Sequence, residues 1–530
     1  MTVNDPGGPP SAAAPPAEAP RLGWLWRPNL IVFVSSACIM ILELVAGRIL
    51  APQVGVSLYT WTTVIGIVLA GISLGNYAGG RLADRRASLR LLGGLFLAAS
   101  LTCACVLVVD VRGRLTPFDW PILWEILVRT TALFFLPCAL LGMISPIVIK
   151  LAVRDLAKTG STVGRIYAAG TVGSIVGTFA TGFVLIAWIG TYAIVLGLAA
   201  VLAAMGSIFL LAGRWVSLPL AAIVAVGGYS LAARDGWARA DCYRETNYYS
   251  IRIKPDSYRG EPMVTLILDR LVHSTASLAH PTRLAYEYTQ VYAEVAADHA
   301  QKHDRLRTLS IGGGGYAFPR YLEAVYPASD VEVIEIDPGV TQVAYEVMGL
   351  RRDTRIVTYN EDARLYLARE PGARYDLIMN DACNHYSIPY HLTTKEFDDR
   401  VHAWLAEDGV YMVNLMDVPT AGLVRAFVLT LQQTFRYVYL LPTAPGWRAM
   451  PRSTFVVLAS DAPLDRKAFA KIDAGDGDPI VARQLFTDDQ LRELMDAGGP
   501  RIVLTDRYAP VEQLSAAVAR EQWPKSHVGG

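Results

Sequence analysis

Leu309-Ser310-Ile311-Gly312-Gly313-Gly314-Gly315-Tyr316, followed after one helix length by Val331-Glu332-Val333-Ile334-Glu335-Ile336-Asp337, decides how the second half of this chain folds. An apolar run ending in glycines, then a helix, then a second apolar run ending in an acid, builds a nucleotide-binding crevice. The glycines let backbone approach a ligand, and an acid at the second strand end suits a pair of ribose hydroxyls. Taken alone, the same residues also fit a tight turn with a surface acid. Everything upstream reads as a way of holding this unit at a membrane.

At 530 residues the chain exceeds a single core, and its charges are unevenly spread. They are sparse before about residue 234 and ordinary after it. Lys plus Arg equals Asp plus Glu, at 48 each, so no basic surface argues for nucleic acid. Of six cysteines, Cys38, Cys103, Cys105 and Cys138 lie in apolar segments, where a small buried thiol is the ordinary reading. No pair has zinc-ligand spacing with histidine neighbours, so no metal is expected.

Residues 1–22 are rich in proline and alanine and read as a disordered tail. Seven apolar runs follow, at 30–50, 59–79, 91–109, 127–149, 166–189, 192–212 and 216–231, each about the length that crosses a bilayer. The region 23–234 is therefore expected to be a transmembrane helical domain. Gly170, Gly173, Gly177 and Gly182 recur through the fifth run, as close helix packing requires, with a channel lining as the other reading. Glu43 is costly at its depth unless Arg48 pairs with it or it lines a polar route. Arg81, Arg85, Arg86, Arg90, Lys150, Arg154, Lys158 and Arg214 fill the loops after runs two, four and six, which the positive-inside rule places in the cytoplasm. Seven spans then put the soluble half outside, whereas a cytosolic ligand would put it inside. One span more or fewer reverses the first answer.

From about residue 241 short alternating runs replace the long ones. Residues 241–280 read as a small β-module, and 281–460 as alternating strands and helices, the pattern of a parallel sheet covered on both faces. Several stretches, in order, resemble the spermidine synthase or aminopropyltransferase family in its membrane-fused bacterial form. They are Glu245-Thr246-Asn247-Tyr248-Tyr249-Ser250-Ile251, Leu268-Asp269-Arg270-Leu271-Val272-His273, Tyr286-Glu287-Tyr288-Thr289-Gln290, the glycine stretch through Arg320, Glu335-Ile336-Asp337, Glu361-Asp362-Ala363, Asn380-Asp381-Ala382 and Leu392-Thr393-Thr394-Lys395-Glu396-Phe397. The resemblance covers about residues 241–460 and implies a Rossmann-like domain that binds S-adenosylmethionine or its decarboxylated form. It implies that Gly312 and Gly314 shape the turn, with Gly315 beside them on the ligand side, that Glu335 takes the ribose hydroxyls, Asp362 takes the adenine amino group and Asp381 is the catalytic acid. Gln290 falls at a further ligand-side position. A homodimer is implied by the same resemblance. Residues 461–530 form a C-terminal extension, in which Leu504 to Glu512 reads as a closing strand and turn.

The departures bear on the chemistry. Gly315 stands where the family keeps an acid, Asn384 replaces a second acid, Gln290 a glutamate, Thr289 a histidine, His273 a glutamine and Ala444 a tyrosine. Carboxylates serve an ammonium far better than neutral amides do, so a polyamine acceptor site is depleted here. The expectation is therefore an enzyme acting on the intact amino-acid arm of S-adenosylmethionine and releasing methylthioadenosine, by lactone closure or transfer to a small acceptor. Asp381, Asn384, Tyr288 and His273 would surround the arm. Aminopropyl transfer from the decarboxylated form to putrescine or another amine is the alternative. A transporter with a sensing domain is a third reading, carried by the turn Gly79-Gly80-Arg81-Leu82-Ala83-Asp84-Arg85.

Overall fold

The computed structural model describes residues 27–55, 57–115, 122–153, 155–210, 242–383, 388–472, 479–498 and 501–520. The tail at 1–22, the seventh apolar run at 216–231 and Asn384 lie outside the described residues.

Among the described residues, six helices are long and apolar enough to cross a membrane: α1 Pro28–Val54, α2 Leu58–Arg86, α3 Leu89–Asp110, α4 Leu123–Ala152, α5 Leu156–Leu185 and α6 Thr191–Leu210. Glycine sets how closely they approach. A Cβ on Gly173 would lie 2.2 Å from the Phe33 carbonyl oxygen of α1, and one on Gly177 2.6 Å from that of Ala37. The stripe is thus a helix-packing seam rather than a channel wall, except at Gly182, which has nothing within 4 Å. Glu43 and Arg48 do not pair. Five residues along a helix turns them about 140° apart, and Arg48 faces the soluble half instead.

The alternating helices leave two distinct ends to the bundle. Lys150 pairs with Asp84 at 2.9 Å on the basic end. At the other end Gln53 and Tyr192 donate to Asp110, and Arg129 donates to Gln53. The soluble half meets the bundle at this second end. The Leu58 amide donates to Glu512 at 2.9 Å, the Thr191 amide donates to Glu245 at 2.5 Å, and Arg48 donates to the Thr246 and Tyr248 carbonyls.

Strands β1 Arg244–Glu245, β2 Ser250–Tyr258, β3 Glu261–Leu268 and β4 Leu271–Ser277 form an antiparallel sheet in that order. The larger sheet holds β5 Arg307–Ile311, β6 Asp330–Ile334, β7 Val357–Tyr359, β8 Tyr375–Asn380, β9 Leu405–Asp417, β10 Tyr437–Pro442 and β11 Ser453–Ser460, in the order β10-β11-β9-β8-β5-β6-β7. Five strands run parallel, and β11 joins β9 and β10 antiparallel. This corrects the expectation of a wholly parallel sheet. The short link from Pro442 to Ser453 can only return the chain as a hairpin, because a parallel crossover needs a helix-length connection. Alternation splits the core across the sheet: Leu309 and Ile311 of β5 pack in one layer, and Val331 and Val333 of β6 in the other.

Candidate functional site

The sheet's connections diverge at β5, which pairs with β6 on one side and β8 on the other. Crevices of open α/β sheets form at the carboxyl ends of strands at such a point. A cavity of about 280 Å³ lies there, bordered by Gly312 to Gly315, Glu335, Asp362, Asp381, Tyr288 and His273.

The glycine turn is constrained from both sides. Gly312 has φ +95°, and a Cβ there would meet the Asp381 carbonyl oxygen at 3.0 Å, so β5 and β8 can sit this close only with glycine. Tyr316 closes the turn at φ +55°, costly for a tyrosine, and its hydroxyl is held by Thr341 and Thr358 at 3.1 Å each. Glu335 Oε2 accepts the Gly313 and Gly314 amides at 2.8 and 3.3 Å, and Oε1 accepts that of Asp337 at 2.9 Å. Burial pushes this carboxyl up, and the three amides oppose the shift. With three of about four lone-pair sites engaged, the carboxylate is fixed in direction toward the cavity.

A side chain at Gly315 would have to push the Ser274 and Met348 side chains aside. A Cβ would lie 2.6 Å from Ser274 Oγ and 2.7 Å from Met348 Cε. Ser274 of β4 and Met348 from beyond β6 fill the space beside Gly315.

Asp381 follows β8 directly. Its Oδ2 accepts the Tyr288 hydroxyl at 2.8 Å, and its Oδ1 accepts the Asn414 amide at 2.8 Å. Both of its oxygens are thereby engaged by neutral donors rather than by a helix amide. Tyr288 comes from α7 Glu287–Ala300, and Asn414 from β9. Enclosure by protein pushes the Asp381 carboxyl from an ordinary value of 3.8 to about 6, against the pull of Asn414 and Tyr288. A neutral-ringed carboxyl near 6 can accept a proton from an amine or pair with an ammonium.

Asn414 was not legible as a site residue. Its one signal is an amide interrupting the apolar run of β9 at the level where β8 ends, with Asn380 paired beside Val413. His391 is a second residue the motifs did not single out; it borders the cavity and lies 3.2 Å from Asp362 Oδ2. The other Asp362 oxygen accepts the Arg364 and Leu365 amides, capping a one-turn helix. His273 borders the cavity, with its ring nitrogens against the Leu271 and Cys383 carbonyls at 2.9 and 3.2 Å. Gln290 is turned away, its amide donating to the Leu284 carbonyl at 3.3 Å, and it is not among the cavity-lining residues. Asp506 pairs with Arg364 and accepts from Thr394 at 2.8 Å, so the C-terminal segment braces the outer wall instead of entering the cavity.

No family model matches the chain. It is similar to a polyamine aminopropyltransferase of Vibrio vulnificus (strain CMCP6), 30% identical over 220 residues that cover 39% of this chain and 69% of the relative. A polyamine aminopropyltransferase of Corynebacterium efficiens is 25% identical over 396 residues, covering 69% of this chain and 72% of its own. Among solved structures, a probable spermidine synthase from Corynebacterium glutamicum ATCC 13032 covers 52% of this chain and 96% of its own, at 23% identity and a TM-score of 0.44.

Proposed function

Because the chain belongs to the polyamine aminopropyltransferase family, we propose that it transfers the three-carbon amine arm of a decarboxylated S-adenosyl sulfonium to an amine, releasing methylthioadenosine. The observation that carries this reading is Asp381, a carboxyl near 6 at the end of β8, facing the same cavity as the glycine turn. Desolvation that raises the carboxyl also lowers an amine beside it, bringing the two within proton-transfer range. The amine nitrogen attacks the carbon next to sulfur and the carbon–sulfur bond breaks toward sulfur. A neutral thioether leaves, and Asp381 takes the ammonium proton. Glu335, with one lone-pair site left open by the three amides, would accept a ribose hydroxyl, and Asp362 Oδ2, the oxygen not spent on the helix cap, would meet the adenine amino group. Tyr288 and Asn414 would orient the base.

The relatives' names put aminopropyl transfer ahead of the lactone closure favoured by the sequence. One observation keeps closure as a second reading: the wall at Gly315 is filled by Ser274 and Met348, leaving Asp381 without a carboxylate there to share an ammonium. An arm carrying its own carboxylate meets less repulsion in such a site. Methylthioadenosine release by the purified full chain in detergent separates the two. Release that needs the decarboxylated sulfonium and an amine supports aminopropyl transfer; release from S-adenosylmethionine alone supports closure; adenosylhomocysteine as product refutes both.

We further infer a topology. The soluble half docks on the end of the bundle opposite Arg85, Arg86 and Lys150, which supports a position away from the cytoplasm. A cytosolic sulfonium would then have to cross the bundle. Membrane-impermeant maleimide labelling of a cysteine introduced at Asp256, in intact cells, tests this: labelling is expected, and protection reverses the assignment.

A further inference from the structure

We propose that Arg48, on the first membrane helix, is a positioning residue for the nucleotide cavity, acting through the turn between β1 and β2. The inference rests on the reading that this cavity holds an adenosyl sulfonium.

A chain of hydrogen bonds leads from the bundle to the cavity. The Arg48 guanidinium donates to the carbonyls of Thr246 and Tyr248, the latter at 2.8 Å. The Thr246 hydroxyl accepts the amides of Tyr248 and Tyr249 at 3.1 and 2.9 Å and donates to Asp337 Oδ2 at 2.5 Å. Asp337 caps the next helix through Oδ1, on the Gly339 amide at 2.9 Å, and its own amide donates to Glu335. Each link is short and directional, so movement of the turn is carried to the acid at the end of β6. The turn also forms part of the cavity wall, since Tyr248 and Tyr249 border it.

Packing leaves the turn little other freedom. A Cβ on Gly339 would lie 2.3 Å from the Thr246 methyl, so turn and helix start are in direct contact. Glu245, just before the turn, is held to the bundle by the Thr191 amide. Charge points the same way: burial pushes the carboxyls of Asp337 and Asp269 up, and the nearby Arg48 guanidinium offsets part of that shift. An arginine near a span end commonly reaches lipid headgroups. This one spends its planar fork on two carbonyls of the soluble half, 198 and 200 residues away in sequence.

The test uses the full chain in detergent, with Arg48→Ala, Arg48→Lys and Thr246→Val, and Arg81→Ala on the opposite end as control. Arg48→Ala is expected to raise KM for the sulfonium donor about tenfold with kcat within about threefold, the signature of lost positioning rather than lost chemistry. Thr246→Val should do likewise, Arg48→Lys should fall between because an ammonium cannot span both carbonyls, and Arg81→Ala should match wild type. Hydrogen exchange at residues 246–249 and 335–339 provides a readout that needs no turnover and should quicken in Arg48→Ala. An Arg48→Ala protein with unchanged exchange there overturns the proposal, as does an active one with donor KM within twofold of wild type. If wild type itself neither binds nor releases methylthioadenosine, the adenosyl reading fails, while the exchange comparison still decides whether Arg48 holds the turn.

Discussion

Replacing Asp381 by asparagine should make this protein inactive and more stable at once. The carboxyl stands near 6 in the folded chain against an ordinary 3.8. At 1.36 kcal/mol per unit, keeping it ionised at pH 7.5 costs about 3 kcal/mol. It is half-buried and borders the cavity, so about 2 kcal/mol is the realistic share. Asparagine removes the charge and keeps one acceptor oxygen. It leaves one of the two donors, Tyr288 or Asn414, poorly matched, at about 1 kcal/mol. The net is a gain of about 1 kcal/mol, on the order of 3 °C in Tm. Methylthioadenosine release should fall about 10²- to 10⁴-fold, the usual contribution of a positioned base.

The pH dependence fixes the sign. The folded-state value is raised, so this group's contribution to stability is complete below the unfolded value near 3.8 and is lost as pH rises through about 6. Thermal melts of wild type and Asp381→Asn should therefore cross between pH 4 and 6, with the variant about 1 kcal/mol less stable near pH 4 and about 1 kcal/mol more stable above pH 6. A variant that melts lower than wild type at every pH, or that keeps more than a tenth of the activity, refutes the assignment of Asp381 as a strained, ionised base.

Tyr288→Phe removes a hydrogen bond that holds the Asp381 carboxyl down, so the acid limb of the kcat profile, expected near pH 6, should move to higher pH; an unmoved limb counts against Asp381 as the titrating group. Gly315→Asp must displace Ser274 and Met348, which should cost about 1–3 kcal/mol and lower Tm, with Ser274→Gly in the same chain recovering part of the loss. In the bundle, Gly173→Ala should destabilise by about 1–3 kcal/mol, because its Cβ would enter the Phe33 carbonyl, whereas Gly182→Ala should change stability by less than about 0.5 kcal/mol; detergent melting curves compare them.

The sequence by itself carried whatever depends on short spacing. Apolar runs of bilayer length mark α1 to α6, and the glycine stretch with Glu335 marks the strand, turn, helix and strand that frame the cavity, since local backbone geometry and periodicity are written within a few residues. Asp381 was singled out by the family resemblance, and the structure puts it directly after β8 on the cavity wall. Only the tertiary structure brought Asn414 to Asp381, across 33 residues and a strand pairing whose register no local pattern specifies. It turned Gln290 onto the Leu284 carbonyl and out of the cavity wall. It filled the space at Gly315 with Ser274 and Met348, and carried Arg48 from the first apolar helix to the turn behind Glu335. These contacts join residues far apart in sequence. Packing decides them, because hydrophobic burial selects which surfaces meet and the polar groups then pair with whatever the meeting surfaces present.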